Sequence, residues 1–434
     1  MQRNKFLPEI LVTLFDRHRG MRTDDDPRDI YELCNALIAQ EGQVSGIKIA
    51  EVILARYRAF NEDAKLKFFQ FMNESLDIDP DRLAACARSY AKSGTWEDYK
   101  DVYESSVTKR LQFLRRLNQP SGATADLVSM RVDLLRLTKV DPDLRRADLD
   151  FSRLLRSWFN HGFLVLKQID WSAPASLLDK IVAYEAVHEI NDLDDLRRRL
   201  TPPDRRCFAF FHPAMPDEPL IFVEVALSDQ IPGSIDDLLS ERRDPITPEQ
   251  ATAAVFYSIS NCQKGLAGIS FGNLLIKQVA KHLLLEIPHL SHFVTLSPIP
   301  RLKAWLERLK EDSDLGHIAT AVLDGTASDA DMRIITARYL LGAKRKDGTP
   351  FDPVTRFHLG NGAEVFDVHA NADSSLNGRA QSAGAMVNYL YDLKQVESNH
   401  EDFALRGTIK ASKAVASLTK SALTAKPEES AKVT

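Results

Sequence analysis

Residues 254–300, AVFYSISNCQKGLAGISFGNLLIKQVAKHLLLEIPHLSHFVTLSPIP, hold the spacing that points most directly to chemistry. An apolar run, 255–259, enters a turn carrying Gln263, Gly265, Gly268 and Gly272. A helical pattern follows over 273–286, where Leu274, Leu275, Gln278, Val279 and His282 recur at spacings of three and four. A second short run, 292–296, leads into Ser297-Pro298-Ile299-Pro300. Strand, glycine turn and helix in that order can hold a pyrophosphate. Small residues let backbone N–H groups approach the anion, and the helix N-terminus adds the positive end of its dipole. The same glycines also serve turns that bind nothing and need only φ > 0.

The elements around this block have two textures. Residues 1–168 read as helices joined by short turns, an interaction domain with no catalytic cluster. After Asp26-Pro27, the positions Ile30, Leu33, Cys34, Leu37 and Ile38 follow the 3.6 period. Ser45 is placed to cap the next helix, and Asn61 to start another that stops at Asp79-Pro80. Further helices are expected over 96–117, 125–137 and 150–159. Near Leu164-Val165-Leu166 the pattern changes. β-Branched and aromatic runs at 207–211, 220–227, 255–259 and 293–296 then alternate with helices, as in an α+β or α/β domain. The boundary falls near 168, giving a helical domain over 1–168 and a catalytic domain over 169–434. Helix returns over 312–345, and the tail after about 418 reads as frayed.

Bulk properties exclude several classes. A net charge of −5 makes no electrostatic case for wrapping nucleic acid. The four cysteines, Cys34, Cys86, Cys207 and Cys262, form no C-x-x-C pair, which argues against a zinc ribbon or disulfide framework and suits a reducing compartment. The first apolar run is too interrupted for a signal peptide or spanning helix, and the final AKVT is no S-K-L address. The cytoplasm is the expected location.

Several motifs, in order, resemble the malonyl-CoA decarboxylase family. They are HPAMPDEPLIFVEVAL (212–227), VFYSISNCQKGLAGISFGNLLIKQV (255–279), TLSPIP (295–300), FHLGNGA (357–363) and MVNYLYDL (386–393). The resemblance implies an α+β architecture, an all-helical N-terminal domain followed by a GCN5-type N-acetyltransferase-like mixed sheet. It implies malonyl-CoA as substrate, acetyl-CoA and CO2 as products, and a homodimer or homotetramer built through the helical domain. It also implies Ser297 and His358 as the catalytic pair, with Tyr391 at the position of an active-site tyrosine. The expected CoA contacts are Gln263, Lys264, Gly265, Leu266, Ala267 and Gly268, whose QKGLAG fits the phosphate-loop pattern of that fold only approximately. Arg301, where the family usually has glycine, is either a further CoA phosphate contact or a solvated first-turn residue. Ser270 stands where animal members carry glutamate, so no carboxylate base is assigned. His212 and His188 receive no role.

Decarboxylation of a malonyl thioester requires no metal and no organic cofactor, because the thioester carbonyl is the electron sink. The protein must supply a donor to the developing oxyanion, worth about 3–4 kcal/mol of barrier, and an acid for the α-carbon. No G-x-S-x-G elbow surrounds Ser297, so it reads as a hydrogen-bonding partner and not as a covalent nucleophile. Alternatives are an acyl-CoA N-acyltransferase on the same fold, a non-catalytic acyl-CoA-binding scaffold and, more distantly, a serine hydrolase.

Overall fold

The computed structural model describes residues 26–39, 43–269, 275–309 and 315–420. Ser270, Gly272, Asn273 and Leu274, on which part of the turn reading falls, lie outside them, as do the first 25 residues and those after 420.

The helices start where side chains satisfy their first amides. Asn61 Oδ1 accepts from Ala64 N at 2.9 Å and opens helix Glu62–Glu74. Asp79-Pro80, expected as a stop, is a start. Asp79 accepts from Asp81 N and Arg82 N, Pro80 occupies the first turn, where its missing N–H costs nothing, and helix Pro80–Ser93 follows. The expected helix over 96–117 is two, Trp96–Ser105 and Lys109–Leu117, because Thr108 caps the second. Ser45, expected as a cap, lies inside helix Gln43–Arg58, two residues past its start.

The chain divides into two compact units. One runs to Leu164 and also includes His212–Pro216 and residues 263–269; the other holds Val165–Phe211, Asp217–Cys262 and the described residues from 275 on. The first unit buries an aromatic core in which Tyr57, Phe68, Phe69, Phe113 and Phe151 meet at centroid distances of 5.3–6.5 Å. Buried Arg110 is held inside it by Asp150 at 2.7 Å.

The second unit is built on an eight-stranded mixed sheet, so the chain is α+β. Its strands are β1 (Val165–Ile169), β2 (Arg205–Phe211), β3 (Ile221–Ser228), β4 (Ala253–Asn261), β5 (His292–Thr295), β6 (Ser297–Pro298), β7 (Glu364–His369) and β8 (Met386–Leu390). The order is β1-β2-β3-β4-β5-β8-β6, with β7 also pairing β8. β1 to β4 are antiparallel, while β4 and β5 are parallel. Two details position the site. β4 carries a bulge at Tyr257, since Glu224 pairs with Ser258 and Val225 with Phe256. The pairing of β4 with β5 ends at Phe256 opposite Thr295, so Tyr257–Asn261 keeps β3 on one side and faces a cleft on the other.

Candidate active site

The cleft encloses about 240 Å³ and is lined mainly by apolar groups: Val187, Phe256 and Ile259 on one side, Pro298, Pro353 and Phe357 on another. Into it come Ser297 and His358. Ser297 is fixed by its own proline, which favours extended backbone and ends the strand. His358 sits in helix Pro353–Gly360, which Asp352 caps by accepting from Val354 N and Thr355 N. Tyr391 follows β8, and its amide donates to Phe293 O at 2.8 Å.

These three residues form one hydrogen-bonded line. Ser297 Oγ lies 3.1 Å from His358 Nε2, and His358 Nδ1 lies 2.8 Å from the Tyr391 hydroxyl. Ser297 also donates to Thr295 Oγ1 at 2.8 Å. A serine hydroxyl has one proton, so the contact with His358 takes its proton from the ring. Nε2–H donates to Ser297, and Nδ1 accepts from Tyr391. Thr295 Oγ1 is itself held by Tyr389 N at 3.2 Å. The Tyr389 ring stacks on the imidazole at 4.4 Å and 22°, and its hydroxyl meets Thr355 Oγ1 at 2.8 Å. Every polar atom of the line has a partner, and the ring has little freedom to turn.

The electrostatics follow from burial. Desolvation pulls the His358 pKa down to about 3, and pushes the Tyr391 hydroxyl well above its ordinary value. The imidazole is therefore neutral at physiological pH. A neutral imidazole that donates from Nε2 can support a hydroxyl facing an oxyanion, which a fully charged ring in this apolar setting could do only at a large desolvation cost.

The other singled-out residues lie elsewhere. Residues 264–266 form one 3₁₀ turn in the first unit. The amides of Leu266, Ala267 and Ile269 donate to the carbonyls of Gln263, Lys264 and Leu266. The Arg131 guanidinium donates to Gly265 O at 2.7 Å and Ala267 O at 2.9 Å. A Cβ on Gly265 would meet Val128 O at 1.9 Å, so this glycine is required by packing; Gly268 has φ +74° and open space around it. Exposed Lys264 and Gly268 retain amides not spent on these turn bonds. Arg301 lies in the second unit, its guanidinium 5.7 Å from the Phe351 ring centroid. His212 is structural: Nε2 meets Trp158 O at 3.0 Å and Nδ1 accepts from Ala214 N. His188 is buried with Nε2 unpaired among the described residues.

Sequence reasoning missed Thr295, Tyr389, Val187 and Tyr257. The first two had a signal. Thr295 and Ser297, like Tyr389 and Tyr391, stand two residues apart, the spacing that puts side chains on one face of an extended chain. Val187 and Tyr257 had none.

The second unit of this α+β chain therefore carries a buried, hydrogen-bonded Ser–His–Tyr line at an apolar cleft. Comparison with known proteins specifies the family. Residues 162–431 match the malonyl-CoA decarboxylase C-terminal domain and residues 76–159 the malonyl-CoA decarboxylase N-terminal domain. The mitochondrial malonyl-CoA decarboxylase of Rattus norvegicus is 35% identical over 342 residues, covering 70% of this chain and 69% of that one. The crystal structure of the enzyme from Rhodopseudomonas palustris superimposes with a TM-score of 0.84 at 44% identity, covering 91% of this chain and 99% of that one. The Agrobacterium vitis structure gives 0.85 at 42%, covering 90% and 99%. The chain belongs to the malonyl-CoA decarboxylase family, a family of carboxy-lyases.

Proposed function

We propose that this chain converts malonyl-CoA to acetyl-CoA and CO2, with Ser297, His358 and Tyr391 as the catalytic line. The observation that carries the reading is the hydrogen-bonded sequence Tyr391–His358–Ser297 at the apolar cleft of a chain in this family. Apolar walls favour loss of the malonyl carboxylate, because they stabilise the charge poorly. Breaking the C–C bond releases CO2 and leaves its electron pair in the thioester enolate. Ser297 turns its hydroxyl from Thr295 to the oxyanion and keeps accepting from His358 Nε2–H. The α-carbon then takes the Ser297 proton. Ser297 recovers one from His358 Nε2, and Nδ1 takes the Tyr391 proton, which solvent replaces.

The nucleotide end of CoA is assigned to residues 263–268, with Lys264 and the Lys264 and Gly268 amides as anion donors. The helical unit is assigned the homo-oligomer contact. Helix Pro80–Ser93 buries no residue, and with Trp96–Ser105 it exposes Tyr90, Trp96, Tyr99 and Tyr103, which a second copy would cover. Among the described residues no helix is long and apolar enough to cross a membrane. The four free cysteines suit a reducing compartment, and we place the chain in the cytoplasm although the rat relative is mitochondrial by name.

The test is incubation of purified protein with malonyl-CoA and no amine. Stoichiometric CO2 and acetyl-CoA are expected. Free CoA would indicate hydrolysis, dependence on an added amine would indicate acyl transfer, and binding without turnover would indicate a scaffold; each would overturn the reading.

A further inference from the structure

A second cavity of the sheet unit, about 310 Å³, is lined by four arginines: Arg198 and Arg199 of helix Leu193–Leu200, Arg205 at the start of β2, and Arg243. Asp195 and Glu241 also line it. Two of the guanidinium groups are deeply buried, with Arg199 4% and Arg205 3% exposed.

Most of this charge is paired, and the remainder is informative. Arg198 reaches Glu241 at 3.0 Å and Asp195 at 3.6 Å. Arg243 donates both terminal nitrogens to Asp204, which also accepts from Ile246 N. Arg205 donates to the carbonyls of Leu238 at 2.6 Å and Asp204 at 3.3 Å; its nearest carboxylate oxygen, on Asp204, is 3.7 Å away and already engaged by Arg243. Burial accordingly lowers the Arg205 pKa, a sign of a desolvated cation without a sufficient counter-charge. Arg199 donates to Glu224 at 3.2 Å and to the carbonyls of His188 and Glu189. Glu224 is fully buried beside Glu185, and its carboxyl is pushed up to about 8, so it is largely protonated at neutral pH. Arg199 Nε makes no hydrogen bond among the described residues, but Asp195 lies 3.5 Å from it and the surrounding acidic groups raise the Arg199 pKa, so Arg205 is the guanidinium short of counter-charge.

A buried guanidinium without its own carboxylate is costly unless something else completes it. Oxygens of a tetrahedral dianion do so, because planar N–H forks bind phosphate in bidentate fashion. We propose that this arginine cavity is a binding site for a phosphate group, with the buried Arg205 and Arg199 as its floor and Arg198 and Arg243 at its rim. The group arrives either on a small phosphorylated metabolite or as a phosphate of CoA; the recognising chemistry is the same.

The probe is inorganic phosphate, titrated calorimetrically into the full-length protein at constant ionic strength, with chloride as the balancing anion. The account expects saturable binding at one site per chain. Affinity should be lost in Arg205→Gln, fall about tenfold in Arg198→Gln, the loss of one charge-assisted contact, and be unchanged in Ser297→Ala. Arg198 is exposed, so its variant decides the matter if Arg205→Gln does not fold. Displacement of phosphate by CoA would identify the substrate as the source, and simultaneous binding a separate metabolite. Absence of saturable binding, or equal affinity in wild type and Arg198→Gln, would overturn the proposal.

Discussion

The Ser–His–Tyr line and the glycine turn contrast in what holds them. Ser297, His358 and Tyr391 come from three separated segments, and only the folded sheet unit puts Ser297 and Tyr391 within 3.1 Å of His358. The turn at 263–268 is contiguous in sequence and looks self-sufficient. Yet in the structure two of its amides and that of Ile269 close the turn on itself, Arg131 takes two of its carbonyls, and Gly265 is glycine because Val128 O lies where a Cβ would be. A motif that is easy to read can owe its residues to packing, whereas side chains that look ordinary singly can form the chemistry.

The largest effect is expected at the line. His358→Ala and Ser297→Ala should each lower kcat about 10²-fold or more, since one removes the proposed oxyanion donor and the other the ring that donates to it. Steady-state kinetics on folded variants checks this, and near-full turnover in either variant would remove the pair from the mechanism.

At the turn the expected losses divide differently. Gly265→Ala should destabilise the protein by about 2 kcal/mol or more, as overpacking against backbone does. Gly268→Ala, with open space and positive φ, should cost about 1 kcal/mol. Lys264→Ala should raise KM and leave kcat and the melting temperature near wild type. If Gly265→Ala instead melts like wild type and loses only CoA affinity, the turn is a phosphate cradle first and a packing element second.

The pH dependence separates the line from its charged neighbours. With the His358 pKa at about 3, the ring stays neutral in the folded protein, so kcat should be level from about pH 5 to about pH 8. An inflection near the ordinary histidine value that disappears in His358→Gln would show a charged ring in the mechanism. Stability has its own signature. A folded-state pKa below the unfolded value means that the unfolded chain binds more protons, so His358 and His188, the latter lowered to about 4, contribute stability above about pH 6.5 that is lost as pH falls through 6.5 towards 3. Glu224 has the opposite sign. Its pKa is raised to about 8, so its contribution is present below about pH 4.5 and is lost as pH rises through 8. Glu224→Gln should therefore gain stability relative to wild type between about pH 5 and about pH 8 in chemical denaturation; a constant difference would contradict the assignment.

A good part of this was legible in the sequence. The runs at 207–211, 220–227, 255–259 and 293–296 coincide with β2 to β5, because buried central strands read as β-branched and aromatic runs. Asp79-Pro80 was misread because Pro both follows helices and begins them, and only the cap geometry distinguishes the two. The membership of His212–Pro216 and of the glycine turn in the helical unit was illegible. It rests on His212 reaching Trp158 O and Arg131 reaching Gly265 O, tertiary contacts with no local period. Ser297, His358 and Tyr391 were identified through motif resemblance. Composition and spacing alone gave no reason to prefer His358 among eleven histidines.

The double-mutant cycle on malonyl-CoA turnover tests the central claim most directly. If Ser297 and His358 act as one unit, Ser297→Ala/His358→Ala should have a kcat little below that of either single variant, with CO2 release and acetyl-CoA formation falling together. Multiplicative losses, the double variant falling by the product of the two single effects, would show independent residues and contradict the catalytic line.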